Sequence, residues 1–198
     1  MILTRREVPL LIVNLIYIPF FSYIALGRKN YEFLLYALIV LLVGALVVWK
    51  QRRVRFDLSI LWGLTVWGLM HMAGGNIQVA DGVLYSVIVV PIWPDLHILR
   101  YDQVVHTLGF CVATLVCYHL LRPYLRETPE RWGTLGFLVV MMGCGVGAIN
   151  EIIEFVTVLT LPETYVGGYD NTMLDLCFNL LGGILAVLLI GLRRQGAE

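Results

Sequence analysis

The sequence predicts an all-α fold, a polytopic membrane helical bundle of about six transmembrane helices with both termini cytoplasmic. Three observations carry this. Of the 198 residues, 59% are apolar and 14% charged, against about 45–50% and about 25% in soluble domains, and the mean hydropathy is +0.82. The apolar residues gather into runs of membrane-spanning length. Lys and Arg collect in alternate connections. Such a composition excludes a soluble enzyme, a disordered chain and a nucleic-acid binder, each of which needs more charge or polarity. The expected surroundings are the lipid bilayer, with no nucleic acid among the partners and no protein partner indicated.

A bilayer core of about 30 Å takes about 20 apolar residues per helix. The first expected span, 8–27, follows Arg5 and Arg6; it exceeds a signal-peptide apolar region of about 7–15 residues and no small-x-small site follows, so it is read as an uncleaved span. The second, 31–49, ends at Lys50, Arg52, Arg53 and Arg55, and the third is 58–76. The apolar run after it is too short to cross and is broken by Pro91 and Pro94, which predicts a short interfacial or re-entrant segment near 82–94. The fourth span, 104–121, is followed by Arg122, Arg126 and Arg131. The fifth is 133–159. The sixth, 173–192, is interrupted by Asp175 and Asn179 and closes on Arg193 and Arg194. The opposite connections hold only Arg28, Lys29 and Arg100 among the basic residues. By the positive-inside rule the richer set is cytoplasmic. The formal net charge of zero is thus a basic half set against an acidic one.

The chain reads as one integral membrane domain, 1–198. Cys111, Cys117, Cys144 and Cys177 fall inside spans without a C-x-x-C pairing and read as packing residues. Gly143 and Gly147 form a small-xxx-small pair that lets helices approach.

Ionisable groups inside spans cost about 2.5–3.5 kcal/mol each even on the lenient insertion scale, so each requires a reason. On the oriented map His71 lies in the outer half of helix 3, and Asp102 and His106 in the first turns of helix 4. Asn150, Glu151 and Glu154 lie near the outer end of helix 5. Tyr169, Asp170 and Asn171 come just before helix 6, with Asp175 and Asn179 in its opening turns. Four helices deliver polar groups to one depth. Asp102 with His106 and Asp175 with Asn179 are i,i+4, and Glu151 with Glu154 is i,i+3, so each pair shares a helix face.

Two imidazoles and several carboxylates are ligands for a divalent Zn, Mn or Fe ion. His71, His106, Glu151, Glu154 and Asp175 are the candidate metal ligands. Asp102, His106, Glu151, Glu154 and Asp175 are the candidate catalytic groups, and Asn150, Asp170, Asn171 and Asn179 complete the polar site. No H-E-x-x-H or E-x-x-H motif is present. Plainer roles stand beside these: Asp102 with His106 as an interhelical tie, and Asp175 with Asn179 as a helix-start feature bonding free backbone N–H groups. His97 and His119 do not join the cluster, and Asp81, Asp95 and Glu163 read as solvated loop charges. Trp49, Trp93, Tyr101, Trp132 and Tyr169 sit at span ends, as aromatic belts do.

The segments Tyr101-Asp102-x-x-x-His106-x-x-Gly109, Asn150-Glu151-x-x-Glu154-Phe155 and Tyr169-Asp170-Asn171-Thr172-x-x-Asp175-x-x-x-Asn179 resemble the signature of the YjdF-like inner-membrane proteins. More distantly they resemble VanZ-like proteins, whose pattern is Asp-Lys-x-x-His, then a Glu, then Asp-x-x-x-Asn-x-x-Gly. Asp102, His106, Glu151, Asp175, Asn179 and Gly182 match in order over about residues 70–185. Gln103 replaces the usual Lys, Glu154 stands where Gln often follows, and no Arg shortly precedes Asp175. The resemblance implies a multi-pass protein of the bacterial inner membrane. The association of VanZ-like proteins with reduced sensitivity to a lipoglycopeptide antibiotic implies a connection to envelope lipids or cell-wall precursors.

The function expected is metal-dependent hydrolysis or transfer on a lipid or lipid-linked phosphate at the outer leaflet. Two rivals remain open. A proton- or cation-coupled transporter would need ionisable groups across the whole thickness, and the cytoplasmic halves hold little beyond His119. A non-catalytic accessory protein would use the cluster as a stabilising network.

Overall fold

The structure, a computed structural model, describes residues 4–80, 82–93, 98–125 and 131–195. Asp81, Pro94, Asp95, His97 and Arg126 lie outside the described residues. Six long helices form: α1 Val8–Gly27, α2 Tyr31–Val54, α3 Leu58–Asn76, α4 Tyr101–Leu121, α5 Trp132–Thr160 and α6 Tyr169–Gln195. All except α3 are long and apolar enough to cross a membrane, α4 together with the turn that follows it. In α3 two tryptophans, His71 and seven glycines or polar residues at Ser59, Gly63, Thr65, Gly68, Gly74, Gly75 and Asn76 dilute the apolar run.

Four helices outrun their expected limits, α5 by only one residue at each end, because a helix need not stop where its apolar run stops. α2 continues through Lys50–Val54, where basic residues suit the C-terminal dipole. α4 starts at Tyr101. α6 starts at Tyr169, which corrects the placement of Asp170 and Asn171: they belong to its first turn and do not precede it. The segment after α3 is β-structure, which apolar length alone does not reveal. β1 Gln78–Val79 pairs antiparallel with β2 Gly82–Val83, and β3 Ile88–Trp93 with β4 Ile98–Arg100. β3 is exposed along its whole length, and Pro91, which lacks an N–H, falls within the irregular part of its ladder.

The helices gather into two compact units, Met1–Val105 with Thr157–Tyr165, and His106–Val156 with Val166–Glu198. In the first, α1, α2 and α3 pack on one another around Tyr17, Ile18, Phe21, Ala37, Val40 and Met72. Asn14 donates to Thr65 Oγ1 at 2.9 Å and accepts from Tyr17 at 2.9 Å, tying α1 to α3. A Cβ at Gly68 would strike the Tyr17 hydroxyl, and one at Gly75 the Phe33 ring. At the end of α3, Arg28 and Asn30 donate to the Asn76 and Gly75 carbonyls, which have no partner within the helix. Glu7, just before α1, accepts from the Thr4 amide and from Gln51, each at 2.8 Å. These bonds, the Thr4 amide first, hold its carboxyl below the ordinary 4.5.

The second unit assembles α4, α5 and α6 through glycines. A Cβ at Gly182 would run into the Thr107 carbonyl and the Cys111 amide, so here α6 lies against the backbone of α4. Gly143 admits Thr114 and Gly136 admits Val187. Leu135, Val139 and Ile190 form the core with Leu115, Tyr118 and Val187, and Arg194 lies over the Trp132 ring at 4.7 Å. Apolar residues point outward in both units: Leu15, Ile16, Phe20, Leu42 and Leu46 in the first, and Phe137, Ile149, Ile152, Phe155 and Leu188 in the second are all more than half exposed. Apolar surface of that extent belongs against lipid.

Candidate functional site

His106 enters the second unit near the start of α4, Glu151 near the end of α5, and Asp175 and Asn179 near the start of α6, so the antiparallel helices deliver all four to one end. The close approaches at Gly182 and Gly147 make this possible. Gly182 follows Asn179 by three residues, on the same face of α6, and presses that face onto α4. A Cβ at Gly147 would stand 3.0 Å from the Asn179 amide nitrogen, so glycine lets α5 reach the same amide.

The resulting geometry is centred on His106. Its Nδ1 is 2.9 Å from Asn179 Oδ1 and 3.9 Å from Glu151 Oε1. Its Nε2 is 3.9 Å from Asp175 Oδ1. Asn179 in turn donates to Glu151 Oε1 at 3.4 Å. The other carboxylates also receive amide donors: Asn171 donates to Asp175 at 2.6 Å, and Asn150 to Glu154 at 2.7 Å and to Glu151 at 3.5 Å. Asp175 is 0% exposed, Asn179 1%, His106 8% and Glu151 9%; Glu154, Asn150 and Asn171 are half-buried. Phe110 stacks on the imidazole with centroids 5.9 Å apart.

One ligand atom each from His106, Glu151 and Glu154 falls within 4.8 Å of the others. Metal bonds of about 2.0–2.2 Å hold donor atoms at most about 4.4 Å apart, so a slight contraction would bring either Glu151 with Glu154, or Asp175 at the other ring nitrogen, to a cation shared with His106. The donor set of one imidazole and several carboxylates suits Zn, Mn or Fe, and the amides around it are the outer partners that orient such ligands.

Of the remaining expected residues, Asp102 joins His106 in a second possible ligand grouping, while among the described residues Asp170 and His71 join none. Asp102 is half-buried one turn before His106 on α4, and Asp170 is exposed in the first turn of α6. His71 belongs to the first unit and to neither ligand grouping found among the described residues. Aromatic rings take up its faces: Trp67 stacks at 5.5 Å, Phe33, Tyr36 and Tyr85 lie at 5.7, 5.1 and 5.9 Å, and the Tyr85 hydroxyl is 2.5 Å from its Nδ1.

Glu32 and Gln103, buried polar residues of the first unit, stand outside the expected site set. Glu32, 3% exposed, sits in the first turn of α2 and accepts from the Tyr165 amide at 2.6 Å. Its position at the acidic end of a span was a signal of the same kind as Glu151's. Gln103, 1% exposed, accepts from the Arg100 amide at 3.0 Å; it carries no charge, and beside Asp102 it draws attention only as the replacement for a usual Lys.

A family model described as a predicted membrane protein, DUF2238, matches residues 9–196, well beyond the 70–185 that the motifs cover. An uncharacterized protein of Thermotoga maritima is 36% identical over 86 residues, 43% of this chain and 44% of that protein. The chain thus spans under half the length of this curated relative. No solved structure matches it.

Proposed function

The chain belongs to the DUF2238 family of predicted membrane proteins, and from that premise we propose that it is a bacterial inner-membrane protein that hydrolyses or transfers a lipid or lipid-linked phosphate at a divalent-metal centre. The observation that carries this is the imidazole of His106 set between Glu151 and Asp175, each 3.9 Å from a different ring nitrogen, inside a bundle whose outer surface is apolar. A buried His with acids on both sides is costly as mere packing, and a cation offsets the mutual repulsion of the acids.

Arg122, Arg131, Arg193 and Arg194 lie at the opposite end of the same helices, which by the positive-inside rule supports cytoplasmic termini and a centre at the outer leaflet. There a lipid headgroup is the nearest substrate, in keeping with the envelope association of VanZ-like proteins. A divalent metal bound there would supply Lewis acidity at a phosphoryl oxygen and lower the pKa of water. His106 and Asp175 would hold such an ion, and Glu154 would take the proton of the attacking water. Oxygen bonds to phosphorus, the bond to the leaving oxygen breaks, and the proton passes to that oxygen.

The test is phosphate release from vesicles containing phosphatidic acid or a polyprenyl diphosphate, with protein reconstituted in the presence of Mn or Zn. Release that EDTA stops, and that His106→Gln and Asp175→Asn abolish, is expected. No release, with proton or cation flux lost in Glu154→Gln, would make the centre a transport relay. No release and no flux would leave a stabilising network in an accessory protein.

A further inference from the structure

We propose that Asn179 is a positioning residue that fixes His106 in its Nδ1–H tautomer and so presents Nε2, on the Asp175 side, as the nitrogen that takes the cation. The tautomer follows from the hydrogen bonds; the cation at Nε2 rests on the metal reading of the centre.

The steps run along one chain of contacts. The Asn179 side chain lies between a carboxylate and an imidazole, 3.4 Å from Glu151 Oε1 and 2.9 Å from His106 Nδ1. A carboxylate accepts only, so the amide must turn its NH2 toward Glu151. Turned the other way, its oxygen would face the Glu151 oxygen with no proton between them. The amide oxygen therefore faces His106, and an oxygen can only accept, so Nδ1 carries the proton. In a neutral imidazole the lone pair is then on Nε2. That nitrogen faces Asp175 Oδ1 at 3.9 Å, and Asn171 holds the other oxygen of the same carboxylate at 2.6 Å.

Ring geometry turns this into a division of labour. The two nitrogens of an imidazole point away from each other, so a cation on Nε2 has Asp175 beside it, while Glu151 stands on the Nδ1 side behind the Asn179 amide. The structure thus assigns Asp175 with His106 to cation holding, and Asn179 with Glu151 to orienting the ring. Gly147 belongs to the same device, since a side chain there would push on the Asn179 amide at 3.0 Å.

The test uses the full chain labelled with 15N-histidine in detergent micelles at neutral pH, with the His106 signal identified by its loss in His106→Gln. In metal-free wild type, a protonated Nδ1 and unprotonated Nε2 are expected, and Zn2+ should move Nε2 alone. Asn179→Leu should shift His106 toward the Nε2–H form and weaken Zn2+ binding about 10–100-fold, with His71 and His119 signals unchanged as a check on folding. Asn179→Asp, which keeps an acceptor for Nδ1–H, should keep the tautomer. An Nε2–H ring in wild type, or a tautomer indifferent to Asn179→Leu, overturns the assignment. An Nδ1–H ring that Zn2+ does not move overturns the metal reading of the centre and leaves the tautomer standing.

Discussion

Each unit holds a histidine near the end of one of its helices, half-buried in the first and buried in the second, and the two are treated in opposite ways. His71 in the first unit is enclosed by Trp67, Phe33, Tyr36 and Tyr85. His106 in the second is enclosed by Asn179, Glu151 and Asp175. The aromatic faces offer packing and one hydroxyl; the carboxylates offer charge that needs a cation. Residue type and depth are therefore not enough to make a site. The direction in which the side chain leaves the helix decides whether it meets rings or acids. Backbone approach differs in parallel: in the first unit the glycines make room for Tyr17 and Phe33 side chains, and in the second Gly182 makes room for the α4 backbone itself.

That contrast is breakable. The largest effect is expected at Gly182→Ala, where the added Cβ meets backbone that cannot rotate away; destabilisation at or above the upper end of the about 1–3 kcal/mol seen for overpacking should appear in thermal unfolding in detergent. Gly75→Ala meets only the Phe33 ring and should cost less, and Gly145→Ala, with nothing within 4 Å, should be neutral. Next comes Asn14→Leu, which removes the Thr65 and Tyr17 bonds and should cost about 0.5–1.5 kcal/mol without changing metal binding in the second unit. Trp132→Leu should cost a further small amount, of which the Arg194 contact accounts for about 0.5–1 kcal/mol, seen as a lower melting temperature that Arg194→Gln does not lower further. The smallest effect is at Glu7. A carboxyl held below its ordinary 4.5 contributes stability that is present above that value and lost as pH falls through the lowered one. Glu7→Gln should therefore narrow the stability difference between pH 6 and pH 3, measured by denaturant unfolding.

Much of this was legible in the chain. His106, Glu151, Asp175 and Asn179 stood out because a polar group in a span requires a reason, and their i,i+3 and i,i+4 partners shared faces. Helix positions followed from apolar length, but helix ends did not: Lys50–Val54 and Tyr169–Thr172 are polar and still helical. The β3–β4 pair was invisible because pairing depends on register, which apolar runs do not encode. His71 was grouped with the acids by depth alone, and depth says nothing of direction around the helix axis. Glu32 escaped notice because it lies at the very start of α2, where an acid passes for a surface residue, although the Tyr165 amide that it binds is 133 positions away.

The contrast between the two histidines is tested most directly by metal content. Wild type, His106→Gln and His71→Gln are loaded with Zn2+ or Mn2+, freed of excess ion and assayed for bound metal per chain. Wild type and His71→Gln should retain the ion equally, and His106→Gln should lose it. Retention by His106→Gln, or equal loss in both variants, would contradict the assignment of the centre to the second unit.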